Sequence, residues 1–92
     1  MRFTWDERKG KANLKKHRLD FADAESVFVG LVLTLEDDRF DYGEHRFVTM
    51  GMLDEIVVAI AHTETDEEIR IISMRKATKN EEEIYLQEIA NR

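Results

Sequence analysis

The chain has 92 residues, enough for one domain with a modest core, and 42% of them are apolar. It contains no cysteine and no proline, which excludes disulfide, thiolate and cis-proline mechanisms. The net charge of −6 argues against nucleic acid when taken alone, because phosphate asks for positive potential, but the charge is uneven. Residues 1–20 carry a balance of +4, residues 21–69 one of −11 and residues 70–92 one of +1. Both ends can therefore offer cations to an anionic ligand, although a plain solvated surface reads the same way.

In chain order, Arg2–Trp5 alternates as a short strand with Phe3 and Trp5 on one face. Asp6–Lys16 reads as a helix capped by Asp6, in which Gly10 costs about 1 kcal/mol relative to alanine. A second helix starts after Asp20, with Phe21, Ala24, Val27 and Phe28 as its core stripe and Gly30 as its stop. Leu31–Leu35 is a strand, and 36–43 is an acidic turn. Arg46–Met50, Ile56–His62 and Glu68–Met74 follow as strands, with Gly51–Asp54 and Thr63–Asp66 as hairpin connections. Asn80–Ile89 closes as a helix, with Ile84, Tyr85 and Ile89 toward the sheet. The expectation is one α+β domain over 1–92, a compact antiparallel sheet with two N-terminal helices and one C-terminal helix over one face. No run reaches the roughly 18 apolar residues of a membrane span, and Met1–Lys11 lacks a secretion signal, so a cytoplasmic site is expected.

Three places carry possible chemistry. Lys9, Asn13 and His17 share a helical face, with Lys16 close by, giving cations, an amide and an imidazole in one patch. An ordinary basic helix reads alike. Glu44 and Arg46 lie two apart at a strand entrance, either as a structural ion pair or as a carboxylate base beside a phosphate clamp. Along the last strand, alternation puts Ile69, Ile71, Ser73 and Arg75 on one side, with Arg70, Ile72 and Met74 on the other. Arg75 then sits near the strand end, followed by Lys76 and Lys79, as a phosphodiester site or as solvated cations. There is no glycine-rich phosphate loop and no His-Glu-x-x-His helix, and His17, His45 and His62 lack metal-ligand spacing. The acidic 36–41 run reads as a solvent-facing loop rather than a carboxylate metal site. No metal and no cofactor are expected.

Taken together, Trp5-Asp6-Glu7-x-Lys9-x-x-x-Asn13-x-x-Lys16-His17 with Phe21-x-x-Ala24-x-x-x-Phe28, then Gly43-Glu44-x-Arg46-x-x-x-x-Gly51, then Ile69–Thr78 with Glu81 and Tyr85, resemble in order the three motifs of the BrnT toxin family. The resemblance implies a RelE-like fold and an RNA-cleaving activity that restrains translation. It further implies a BrnA-type ribbon-helix-helix antitoxin as partner, two toxins with two antitoxins in the assembly, and DNA contact only through the antitoxin. His17, Glu44, Arg46 and Arg75 are its expected catalytic positions, and Lys9, Lys16, Ser73, Lys76 and Lys79 its RNA contacts. Trp5, Phe21, Ala24, Phe28 and Gly51 are its fold positions. Family members often open the last helix with Lys-Arg-Glu-Arg, whereas this chain has Lys79-Asn80-Glu81-Glu82, which removes two cations from the implied RNA groove. The reading is a metal-independent endoribonuclease. Its rivals are a catalytically weak module that binds the antitoxin and a small structural domain.

Overall fold

The computed structural model describes residues 1–38, 41 and 43–92. The elements are β1 (Arg2–Trp5), α1 (Glu7–His17), a 3-10 turn (Phe21–Asp23), α2 (Ala24–Val29), β2 (Leu33–Asp37), β3 (Arg46–Leu53), β4 (Ile56–Glu64), β5 (Glu68–Lys76) and α3 (Lys79–Ala90). Five strands form one sheet in the order β1-β5-β4-β3-β2. The pairings are antiparallel except for β1 on β5, which is parallel. Of the 36–43 connection expected as a turn, Glu36 and Asp37 still belong to β2, and Arg39, Phe40 and Tyr42 lie outside the described residues. No helix among the described residues is long and apolar enough to cross a membrane.

The helices cover both faces of the sheet, which corrects the expectation of one covered face. The 3-10 turn and α2 supply Phe21, Ala24 and Val27 to a cluster with Val58, Ile60, Ile71 and Met74. On the opposite face α3 sets Tyr85 and Ile89 against Met50, Val57 and Ala59. The physical cause is the unbroken apolar run Ile56–Ala61 in β4, whose alternate side chains need cover on both sides. Tyr85 also donates from its hydroxyl to the Leu31 carbonyl at 2.7 Å, tying α3 to the chain just before β2.

Capping follows the local sequence. Asp6 accepts from the backbone N–H groups of Arg8 and Lys9, and Asp20 accepts from that of Ala22. Gly51 lies inside β3 instead of opening a hairpin. A methyl group there would come within 2.7 Å of Val27 Cγ1 and 3.1 Å of Val32 Cγ1, so its bare backbone admits α2. The turn falls later, at Asp54, whose φ of 55° is left-handed.

Beyond Trp5 the outer edge of β5 loses its strand partner, and α1 replaces it. The Asn13 side chain accepts from Met74 N–H at 3.1 Å and donates to the Met74 carbonyl at 2.8 Å. It also donates to the Leu19 carbonyl at 3.1 Å. One buried amide thereby stands in for a neighbouring strand and closes the sheet edge.

Candidate functional site

The register of β5 decides which side chains share a face. Ile60 pairs with Met74 and Ala61 with Ser73, but His62 pairs with Ile71, leaving Ile72 as an extra residue at a bulge. Ile69, Ile71 and Met74 consequently all enter the α2-side cluster, which strict alternation forbids. Ser73 and Arg75 turn to the α3 side with Ala61 and Ala59, not to the side of Ile69 and Ile71 as simple alternation predicts.

On that α3 side lies a groove lined by Leu35, Val48, Met50, Ile84, Arg75 and Glu81, together with Glu36 and Asp37 of β2. Arg75 meets Glu81 in a two-point pair, Nη1 to Oε1 at 2.6 Å and Nη2 to Oε2 at 3.0 Å. Glu81 is fixed in turn by the start of α3. Its Oε1 accepts from Thr78 N–H, and its own N–H donates to Thr78 Oγ1, a reciprocal cap. The hydrogen-bonded Arg75 guanidinium is the main cause that holds the Glu81 carboxyl down at about 2. Glu81 was not among the expected site residues, yet Thr78-x-x-Glu81 before an apolar stripe is a readable capping signature.

Arg46 is the cross-strand partner of Asp37, and two residues on, Val48 packs into the α3-side cluster. Its guanidinium lies 3.4 Å from Glu44. Arg46 and Arg75 thus share a sheet face. Arg46 is four residues along β3 from Met50, itself level with Ala59 and Arg75, a separation of about 14 Å along the strand. Ser73, half-buried on the same face, stands between them.

The other expected positions fall elsewhere. Lys76 pairs with Val58, whose side chain belongs to the α2-side cluster, so it leaves β5 away from Arg75. Lys79 is the exposed first residue of α3. Lys9, Lys16 and His17 lie on α1, whose Gly10 closes on Trp5 and Phe21 of the α2-side cluster. Asn13, at the centre of the expected helical patch, is buried in its bonds to Met74 and Leu19, so the patch does not present an amide to a ligand. No hydrogen bond or ion pair among the described residues joins His17 to Glu44, Arg46 or Arg75.

Among the described residues no three His, Cys, Asp or Glu side chains converge as metal ligands. A separate polar chain crosses the α2 side of the sheet. Thr34 Oγ1 and Thr49 Oγ1 lie 2.7 Å apart, and Thr49 Oγ1 and His62 Nε2 also 2.7 Å apart. His62 is fully buried, stacked on Phe47 and edge-on to Phe28, and burial pushes its pKa down to about 4.

Comparison with known proteins agrees with this architecture. No curated protein matches the chain. A solved structure, the Brucella abortus ribonuclease toxin BrnT, superposes with a TM-score of 0.65 at 28% identity, covering 86% of this chain and 99% of that one. The mixed sheet with flanking helices is the RelE-like toxin fold that the motifs imply. The family model described as "Ribonuclease toxin, BrnT, of type II toxin-antitoxin system" matches residues 5–81. The chain belongs to the BrnT toxin family of type II toxin-antitoxin systems.

Proposed function

We propose that the chain is a cytoplasmic endoribonuclease toxin that cleaves RNA without a metal, inhibits translation and is neutralised by a BrnA-type ribbon-helix-helix antitoxin. The assembly holds two copies of each, and DNA is contacted only through the antitoxin. The observation that supports it most is the common sheet face of Arg46, Ser73 and Arg75, within a chain whose family is a ribonuclease-toxin family. Guanidinium groups on that face can hold successive phosphates of one RNA strand and stabilise the charge that builds at the scissile one.

In this reading a base takes the ribose 2′-hydroxyl proton, O2′ attacks phosphorus, and the bond to O5′ breaks. The products are a 2′,3′-cyclic phosphate and a 5′-hydroxyl, the latter receiving a proton from a general acid. Glu44, beside Arg46, is the better-placed base. His17 is the competing acid or base, with Lys9, Lys16, Lys76 and Lys79 as outer RNA contacts. The test is single-turnover cleavage of single-stranded and ribosome-bound RNA by the wild type and by alanine variants of His17, Glu44, Arg46 and Arg75, with and without EDTA. Loss of cleavage in Glu44→Ala, Arg46→Ala and Arg75→Ala, insensitive to EDTA, is expected. Unchanged cleavage in all four variants refutes the assignment.

One observation favours the second reading, a weakly catalytic antitoxin-binding module: Glu81 already occupies two donors of Arg75. Tight antitoxin binding by a wild type that leaves both RNAs intact would select it.

A further inference from the structure

The sheet ends at β2, and its outer edge has properties the RNA reading does not use. Along Leu33–Glu36 no backbone partner lies beyond β3 among the described residues. Edge strands of this kind pair with other chains unless something blocks them. Here neither proline nor lysine stands in the strand, and no bulge interrupts its five-residue register with β3. The edge also carries exposed apolar side chains beside its polar ones. Leu35 is 46% exposed, and Leu31, just upstream, is 61% exposed. Leu35 and Ile84 together form a wall of the groove beside Arg75.

Charge selects the occupant. Glu36 and Asp38 are exposed at the end of this strand, inside the 21–69 stretch whose balance is −11. Pairing with a second copy would bring two such −11 stretches together, like charge against like. A basic strand meets the opposite sign.

We propose that the open edge of β2 receives an extended basic segment of the antitoxin as a sixth strand, an inference that rests on the antitoxin reading above. The backbone of Leu33–Glu36 supplies the ladder. Alternate apolar residues of the incoming segment lie on the α3 side against Leu35 and Ile84. The intervening Lys or Arg residues lie on the other side, near Glu36. The added strand runs along the rim of the groove that holds Arg75, so one docking event both anchors the partner and narrows access to the guanidinium groups.

Hydrogen exchange on the full chain, free and in complex with the antitoxin encoded beside it, tests this. Amides of Leu33–Glu36 should exchange at least about tenfold more slowly in the complex, while those of β1 at the far edge stay unchanged. The double variant Leu35→Lys, Glu36→Lys should weaken the complex by about tenfold or more with its thermal midpoint retained. A complex in which β2 exchanges as in the free chain overturns the strand addition and leaves the antitoxin reading standing. Absence of any complex overturns both.

Discussion

Arg75 and Glu81 hold each other in a two-point pair whose carboxylate is locked by the first turn of α3, so the strand-end arginine and the last helix act as one unit. An RNA phosphate at Arg75 must compete with that carboxylate. The Glu81→Gln variant keeps an acceptor for Thr78 N–H but removes the competing charge. RNA binding should tighten, and the salt dependence of log K should steepen by about 0.7 for one additional single-strand phosphate contact. A salt slope equal to that of wild type would place Arg75 outside the RNA contact.

Asn13 carries the junction between α1 and the sheet. Asn13→Ala leaves the N–H and carbonyl of Met74 and the carbonyl of Leu19 without their side-chain partner. A loss of about 2–4 kcal/mol in urea unfolding is expected, because these groups lose their side-chain partner away from water. Asn13→Asp keeps the acceptor for Met74 N–H but turns a carboxylate toward two carbonyls, so it should not rescue stability. Stability equal to wild type in Asn13→Ala would show that the edge of β5 closes by other means.

Much of this arrangement was readable from residue order, and the failures have physical causes. The strands β3, β4 and β5 and the helices α1 and α3 follow from periodicity and caps, with ends shifted by a few residues. Gly51 was misleading because a glycine required by helix packing looks like a glycine required by a turn. The extra residue at Ile72 carries no local signal, since bulging costs no change in composition, yet it reassigns Ser73 and Arg75 to the other face. Cover on both faces was legible in the Ile56–Ala61 run. The α1 face does not present its amide because a polar residue at helical spacing does not reveal whether it meets water or a bare strand edge, and Asn13 meets the latter.

Gly51→Ala tests the helix contact directly. The added methyl group meets Val27 Cγ1, on a buried β-branched side chain with little freedom to move, and Val32 Cγ1. The variant should lose about 1–3 kcal/mol through overpacking. The paired change Gly51→Ala with Val27→Ala should recover part of that loss, because the second substitution opens the space the first one needs. Greater instability in the pair than the two single losses together would rule out this contact as the source.

His62 sets a pH limit that differs from that of Glu81. Burial lowers the His62 pKa from 6.5 to about 4, so the unfolded chain binds a proton more readily between those values. Stability from keeping His62 neutral is fully present above 6.5 and declines as pH falls toward 4, by about 3 kcal/mol. Below 4 both states are protonated and this contribution stops changing. Glu81 acts lower: its pKa falls from 4.5 to about 2, so its contribution is present above 4.5 and is lost as pH drops through 2. Urea unfolding of wild type from pH 7.5 to 4 should therefore show a downward slope that His62→Gln, still able to bond Thr49, largely removes. An equal slope in both proteins would mean that the imidazole is reached by solvent in the folded state, so that burial does not keep it neutral.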